Sequence, residues 1–128
     1  MSLEPAETAE ILQLATRADD CATARDAEGY AALFTEDAVM DGAMSRAVGR
    51  AQLASTVAAV WAQEAEGTLH LTLNAVVEPT TPEPTVTSVM LMVQAGTPGA
   101  IIGSARVTQK VRKSGARWQI SERWIGAH

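Results

Sequence analysis

The first third of the chain repeats its apolar positions every three or four residues. From Glu7 to about Arg25 the residues are strong helix formers, and Ile11, Leu14, Ala15, Ala18 and Ala22 fall on one stripe, which predicts a first helix. Asp26 is placed to cap a second, short helix over Ala27 to Phe34, where Tyr30, Leu33 and Phe34 share a face. Thr35-Glu36-Asp37 ends it, and Ala38-Val39-Met40 reads as a short strand. A loop follows from Asp41 to Gly49, with two glycines that permit tight turns. Arg50 to Glu66 predicts a third helix with Leu53, Val57, Val60 and Trp61 on its apolar face, and Gly67 stands where a helix commonly stops.

Beyond Gly67 the period drops from 3.6 to 2, and Thr, Val, Leu and Ile are enriched between turn residues, the pattern of a β-meander. Strands are expected near Thr68–Glu78, Thr85–Gln94, Ala100–Lys113 and Arg117–Ile125. Pro79 to Pro84, Ala95 to Gly99 and Ser114-Gly115 supply the connections, because Pro and Gly fit turns and interrupt sheet ladders. Helices first and a long antiparallel sheet afterwards is an α+β order, with the helices covering one sheet face and a pocket between the layers. No internal repeat is visible.

Composition narrows the class. At 128 residues the chain fits one domain, 1–128, with residues 1–6 expected to be flexible. With 47% hydrophobic and 20% charged residues it has the makings of a packed core. A net charge of −5 with ten Lys and Arg argues against nucleic acid and against an anionic membrane surface. No apolar run is long enough to span a bilayer, and Met1-Ser2-Leu3-Glu4-Pro5 lacks the pattern of a signal peptide, so a cytoplasmic location is expected. Cys21 is the single cysteine, which excludes an internal disulfide; it reads as a small buried hydrophobe.

Certain blocks carry a family resemblance: Ala-Arg-Asp-Ala-Glu-Gly-Tyr-Ala-Ala-Leu-Phe-Thr-Glu-Asp-Ala-Val at 24–39, Gly-Arg-Ala at 49–51, Leu-His-Leu-Thr-Leu-Asn at 69–74 and Trp-Gln-Ile-Ser-Glu-Arg at 118–123. In this order and spacing the chain resembles the SnoaL-like family. That family belongs to the cone-shaped superfamily of nuclear transport factor 2, together with scytalone dehydratase, ketosteroid isomerase and polyketide cyclases. The resemblance implies a cystatin-like α+β cone, with three helices on a curved, mainly antiparallel sheet. It also implies a deep apolar pocket for a small hydrophobic molecule, and often a homodimer through the outer sheet face. It does not fix a reaction, since one fold hosts many functions.

In dehydratase-like members a helical Asp pairs with a strand His. The His is matched here by His70, while Thr23 stands at the Asp position and offers only a hydroxyl. Asp19 lies one helical turn before Thr23 and is the candidate to reach the pocket from a displaced position, although the adjacent Asp20 points to a solvated face. Alternation puts His70, Thr72 and Asn74 on one side of their strand and the leucines on the other, and the leucine side would need a covering partner. Isomerase-like members carry a carboxylate base that falls at Gly42 here and a Tyr that falls at Ala18. Asp41 is one residue short of that site and would need a bulge to turn inward. Thr23, Tyr30, Phe34, Trp61, Thr72 and Asn74 complete the candidate lining.

Other chemistries find little footing. His70 and His128 have no metal-site spacing, and Gly96-Thr-Pro-Gly99 is a turn rather than a phosphate loop. Ser104, Ser114 and Ser121 lack a nucleophile elbow, and Trp61, Trp118 and Trp124 read as core or dimer-face residues. Glu122 and Arg123 are candidates for a structural ion pair, and Arg106 for a surface or interface salt bridge.

Two functions stay open. One is a cofactor-independent lyase, cyclase or isomerase using His70, aided by Asp19 or Asp41, on a hydrophobic carbonyl compound. The other is a non-catalytic ligand-binding or dimerisation module of the same fold.

Overall fold

A computed structural model describes residues 2–42 and 45–126. The elements are α1 (Pro5–Ala24), α2 (Ala27–Ala32), β1 (Phe34–Asp41), β2 (Arg46–Val48), α3 (Arg50–Ala62), β3 (Thr68–Glu78), β4 (Thr85–Gln94), β5 (Ala100–Ser114) and β6 (Arg117–Gly126). They form an α+β fold around a six-stranded sheet of order β2-β1-β6-β5-β4-β3. All pairs are antiparallel except β1 with β6.

The helical stripe read from the sequence is the one α1 buries. Ile11, Leu14, Ala15, Ala18 and Ala22 join Val86, Val111 and Ile120 of the sheet in the main core. Pro5 and Ala6, assigned above to a flexible end, lie in the first turn of α1, where Pro has no amide hydrogen to leave unpaired. Asp26 caps α2, its carboxylate accepting from Gly29 N at 2.9 Å. A Cβ at Gly29 would collide with that carboxylate, so the cap needs glycine there.

Three boundaries differ from the sequence reading. Phe34 to Asp37 belong to β1 rather than to the end of α2 and a loop, because Phe34 pairs with Ile120 of β6. A local helical signal yields there to a sheet contact that sequence spacing cannot show. Arg46–Val48, read as loop, forms the short edge strand β2 against Val39–Asp41. Helix α3 stops at Ala62 instead of Glu66. The Arg25 guanidinium donates to the Ala65 carbonyl at 3.1 Å and to that of Glu64 at 3.5 Å, drawing the segment away from the helix axis. Gly67 (φ +83°) turns the chain into β3, a conformation that favours glycine.

Among the register shifts of the sheet, two bear on which side chains of β3 and β6 face the helices. One interrupts β3 between Leu73 and Val76, with Asn74 at φ +53°. The other lies at Ser121, because Val111 pairs with Ile120 but Lys110 pairs with Glu122. An extra residue reverses the in–out parity of everything after it.

Candidate active site

A cavity of about 380 Å³ lies between the helices and the inner sheet face, walled largely by apolar atoms. Tyr30, Met40, Val57 and Trp61 come from the helical side and β1, and His70, Met90, Met92 and Arg123 from the sheet. Tyr30 is fixed by its neighbours. Its ring stands edge-on to Trp61 (centroids 5.3 Å, 90°) and tilts against Phe34 at 5.0 Å, with the Arg123 guanidinium 5.9 Å above it.

His70 is buried, and its Nε2 lies 2.9 and 3.1 Å from the two carboxylate oxygens of Glu64. A carboxylate only accepts, so the proton of the neutral imidazole sits on Nε2 and the lone pair on Nδ1. Nδ1 lies 3.5 Å from the Met90 sulfur, which has no hydrogen to donate. The result is an imidazole oriented by an acid, with its basic nitrogen on the side away from that acid.

Glu64 is the partner that sequence reasoning missed. It lies just beyond α3, its side chain 15% exposed. A signal was present: Glu64 is three residues after Trp61 and seven after Val57, so the apolar stripe of α3 runs into an acid.

Asp19 does reach the cavity wall, but not as a partner of His70. One of its oxygens accepts from Arg123 Nη2 at 2.7 Å and the other from the Thr72 hydroxyl, while Arg123 also donates to Gln109. Asp19 and Arg123 are each 2% exposed. The adjacent Asp20 is exposed, as a solvated face requires. The pairing of Arg123 with Glu122 does not form, since strand neighbours face opposite ways. Glu122 instead lies 3.9 Å from Lys110, across the outer face.

Thr23, at the position of the dehydratase acid, is spent on backbone. Its oxygen accepts from His70 N at 2.8 Å and its hydroxyl donates to His70 O at 3.2 Å, pinning β3 to α1. Phe34 is fully buried behind Tyr30 rather than in the cavity wall, and Asn74 is exposed at the β3 bulge, outside the cavity. Asp41 also falls outside it. It pairs with Arg46 and lies beside Trp124 on the opposite face, while Met40 and Gly42 line the cavity. His128 lies outside the described residues.

Two ionisable groups near the cavity have displaced titrations. Burial, followed by the charges of Asp26 and Asp20, pushes the Cys21 thiol up. Burial also pushes the Tyr30 hydroxyl up, against the opposing pull of Arg123, so Tyr30 stays a hydrogen-bond donor.

A layered α+β cone with a cavity between helices and curved sheet is the architecture of the nuclear transport factor 2-like class. Within it, the chain matches the SnoaL-like domain over residues 4–124 and belongs to that family. Among solved structures it resembles a protein of unknown function with a cystatin-like fold from Nostoc punctiforme PCC 73102, at 29% identity and TM-score 0.90, covering 100% of this chain and 96% of that one. It is also similar to a Mycobacterium tuberculosis protein of unknown function, at 24% identity and TM-score 0.80, covering 98% and 76%. A protein from Novosphingobium aromaticivorans named provisionally as a scytalone dehydratase matches at 22% and TM-score 0.75, covering 94% and 83%. No curated protein matches the sequence. Among the described residues no helix is long and apolar enough to cross a membrane.

Proposed function

We propose that the protein binds a small hydrophobic carbonyl compound in this cavity and moves a proton on it, without a cofactor, using His70 as acid/base and Glu64 as the group that orients the imidazole. The observation that carries this reading is the Nε2 contact of 2.9 Å to Glu64 in the wall of a largely apolar cavity. A fixed tautomer with a free basic nitrogen is what general-base chemistry requires. The outcome is a lyase, cyclase or isomerase step, each of which begins with loss of a proton next to a carbonyl.

The test uses β-tetralone, a neutral apolar ketone, in deuterated buffer, with exchange of its α-hydrogens followed by NMR. The protein is expected to accelerate exchange over buffer, and His70→Ala to reduce that acceleration by about a hundredfold or more. Binding of β-tetralone with no acceleration would leave the non-catalytic ligand-binding module of the same fold. Acceleration undiminished in His70→Ala would remove His70 from the chemistry.

A second observation favours assembly alongside this activity. On the outer sheet face Leu71 pairs with Leu91 and Leu73 with Val89, and Leu71, Leu73 and Trp124 are more than 40% exposed. We propose that a second copy of the chain covers this face, making a homodimer with both cavities turned away from the contact.

A further inference from the structure

Glu64 lies on a segment that buries little of its own. Between the end of α3 at Ala62 and the start of β3 at Thr68, the residues Gln63, Ala65, Glu66 and Gly67 are exposed, and Glu64 is half-buried. A stretch without buried apolar side chains keeps its place through polar ties. The Arg25 guanidinium donates through Nη2 to the Ala65 carbonyl at 3.1 Å and, more weakly, to that of Glu64 at 3.5 Å. The Thr68 hydroxyl donates to the same Ala65 carbonyl at 2.7 Å, and the Gln94 amide to the Glu66 carbonyl at 2.9 Å. Of these three side chains, Arg25 is the one that touches Glu64 itself.

The backbone of Arg25 sets it apart. It closes α1 at φ +56° and ψ +38°, in the left-handed region where glycine is at home and a side chain is strained. Its amide donates to the Ala22 carbonyl at 3.2 Å and that of Asp26 to the Cys21 carbonyl at 2.8 Å, so the helix end is closed by backbone. The side chain is not spent on that closure and reaches across to the segment after α3. Thr23, two residues earlier, holds the backbone of His70 through both N and O. The last turn of α1 therefore grips both members of the pair, and strain kept at such a place points to function.

We infer that Arg25 is a positioning residue: it holds the 63–67 segment so that the Glu64 carboxylate meets His70 Nε2, and through that contact it fixes the imidazole tautomer. The inference rests on the reading of His70 and Glu64 given above and adds the residue that sets their geometry. Arg25 is not part of the cavity wall, so its effect passes through Glu64. Without the guanidinium the exposed segment loosens, and the carboxylate exchanges its imidazole contact for water. His70 then loses the acceptor that keeps its proton on Nε2. In part of the molecules the proton moves to Nδ1, which cannot act as a base while it carries it. Tyr30, Val57 and Trp61 stay in place, so the cavity still binds a ligand, and it is the proton transfer that suffers.

Arg25→Gly tests this, because glycine suits φ +56° and removes the guanidinium at little cost to the helix end. The first readout needs no ligand. Nitrogen NMR of the imidazole rings separates a protonated nitrogen from one with a lone pair, and His70→Ala assigns the signals against His128, the other histidine. Native protein should show the His70 proton held on Nε2, and Arg25→Gly the averaged signals of two tautomers, with a urea midpoint no lower than native. The second readout is exchange of the β-tetralone α-hydrogens, expected to fall about tenfold or more in Arg25→Gly while β-tetralone binding is unchanged. In a Glu64→Ala background Arg25→Gly should lower exchange no further, since it acts through Glu64. An unchanged His70 pattern in Arg25→Gly, or losses that add to those of Glu64→Ala, overturns the assignment. So does a fall in urea midpoint and β-tetralone binding alongside exchange, which makes Arg25 a general support of the fold. Native protein whose Nε2 proton is fixed, and is freed by Arg25→Gly, but which does not accelerate exchange supports the positioning role and overturns the proposed function instead.

Discussion

At the scale of single residues, the molecule turns on two acid-containing pairs of different kinds. Asp19 and Arg123 are both buried, and their desolvation is offset by their mutual contact together with Thr72 and Gln109. Removing one partner leaves an uncompensated charge in a dry setting, so Asp19→Ala is expected to destabilise the fold by about 3–5 kcal/mol. Urea unfolding followed by tryptophan fluorescence reads this directly, and a loss under about 1 kcal/mol would mean that water reaches Arg123. His70 and Glu64 differ, because Glu64 retains a path to solvent and only one imidazole nitrogen is engaged. The first pair is fully enclosed by its hydrogen bonds to the fold, whereas the second leaves Nδ1 facing only a thioether sulfur. His70 and Asp19 were identifiable as special in the sequence, but their partners were not. Glu64 is six residues from His70, and Arg123 is 104 residues from Asp19.

At the scale of elements, the strands follow the period-2 pattern closely, and the misplacements come from bulges and from one long-range clamp. Simple alternation from Trp118 and Ile120 would send Glu122 and Trp124 inward; the bulge at Ser121 sends Arg123 and Ile125 inward instead. The bulge in β3 removes Asn74 from the face that His70 and Thr72 share. Contacts between elements also carry a pH dependence. The Lys113 ammonium, 3.1 Å away, holds the Glu7 carboxyl below its usual range, tying α1 to β5. The Thr35 hydroxyl, and then Arg112, do the same for Asp37. A carboxyl lowered by folding stabilises the native state above its unfolded value near about 4. That contribution fades as pH falls through the still lower folded value. The urea midpoint should therefore drop between about pH 5 and pH 2, and Glu7→Gln with Asp37→Asn should flatten the drop slightly, because both groups are at the surface and screened by salt. An identical slope in the double variant would show that these pairs contribute nothing to stability.

At the scale of the whole molecule, the sheet has two faces with different tasks. The inner face carries Met90, Val107 and the buried ion pair under the helices, while the outer face presents Leu71, Leu73, Leu91 and Trp124. If a second copy covers that face, replacing both Leu71 and Leu73 by Lys would place charges in the contact and yield monomer by sedimentation velocity, with β-tetralone binding retained. Native protein that sediments as a monomer across the concentration range would remove the dimer. The wider depression between α2 and α3 has no comparable chemistry. It is lined mainly by alanines, and its Arg50 is committed to the Phe34 carbonyl at 2.8 Å.

The sequence by itself determined the order of helices and strands apart from the short β2, the limits of β3 and β4, the core stripe of α1, and the strand position of His70. These depend on periodicity and turn chemistry, which act over a few residues. The family was legible as well, because the ordered blocks from Ala24 to Arg123 carry it. The tertiary structure decided the partners. The parallel pairing of Phe34 with Ile120, the parity of β6 beyond Ser121, the release of Glu64 from α3 by Arg25 and the engagement of Asp19 by Arg123 all join distant parts of the chain. Local propensity has no access to such contacts, and a single bulge is enough to exchange which side chain faces the cavity and which faces solvent.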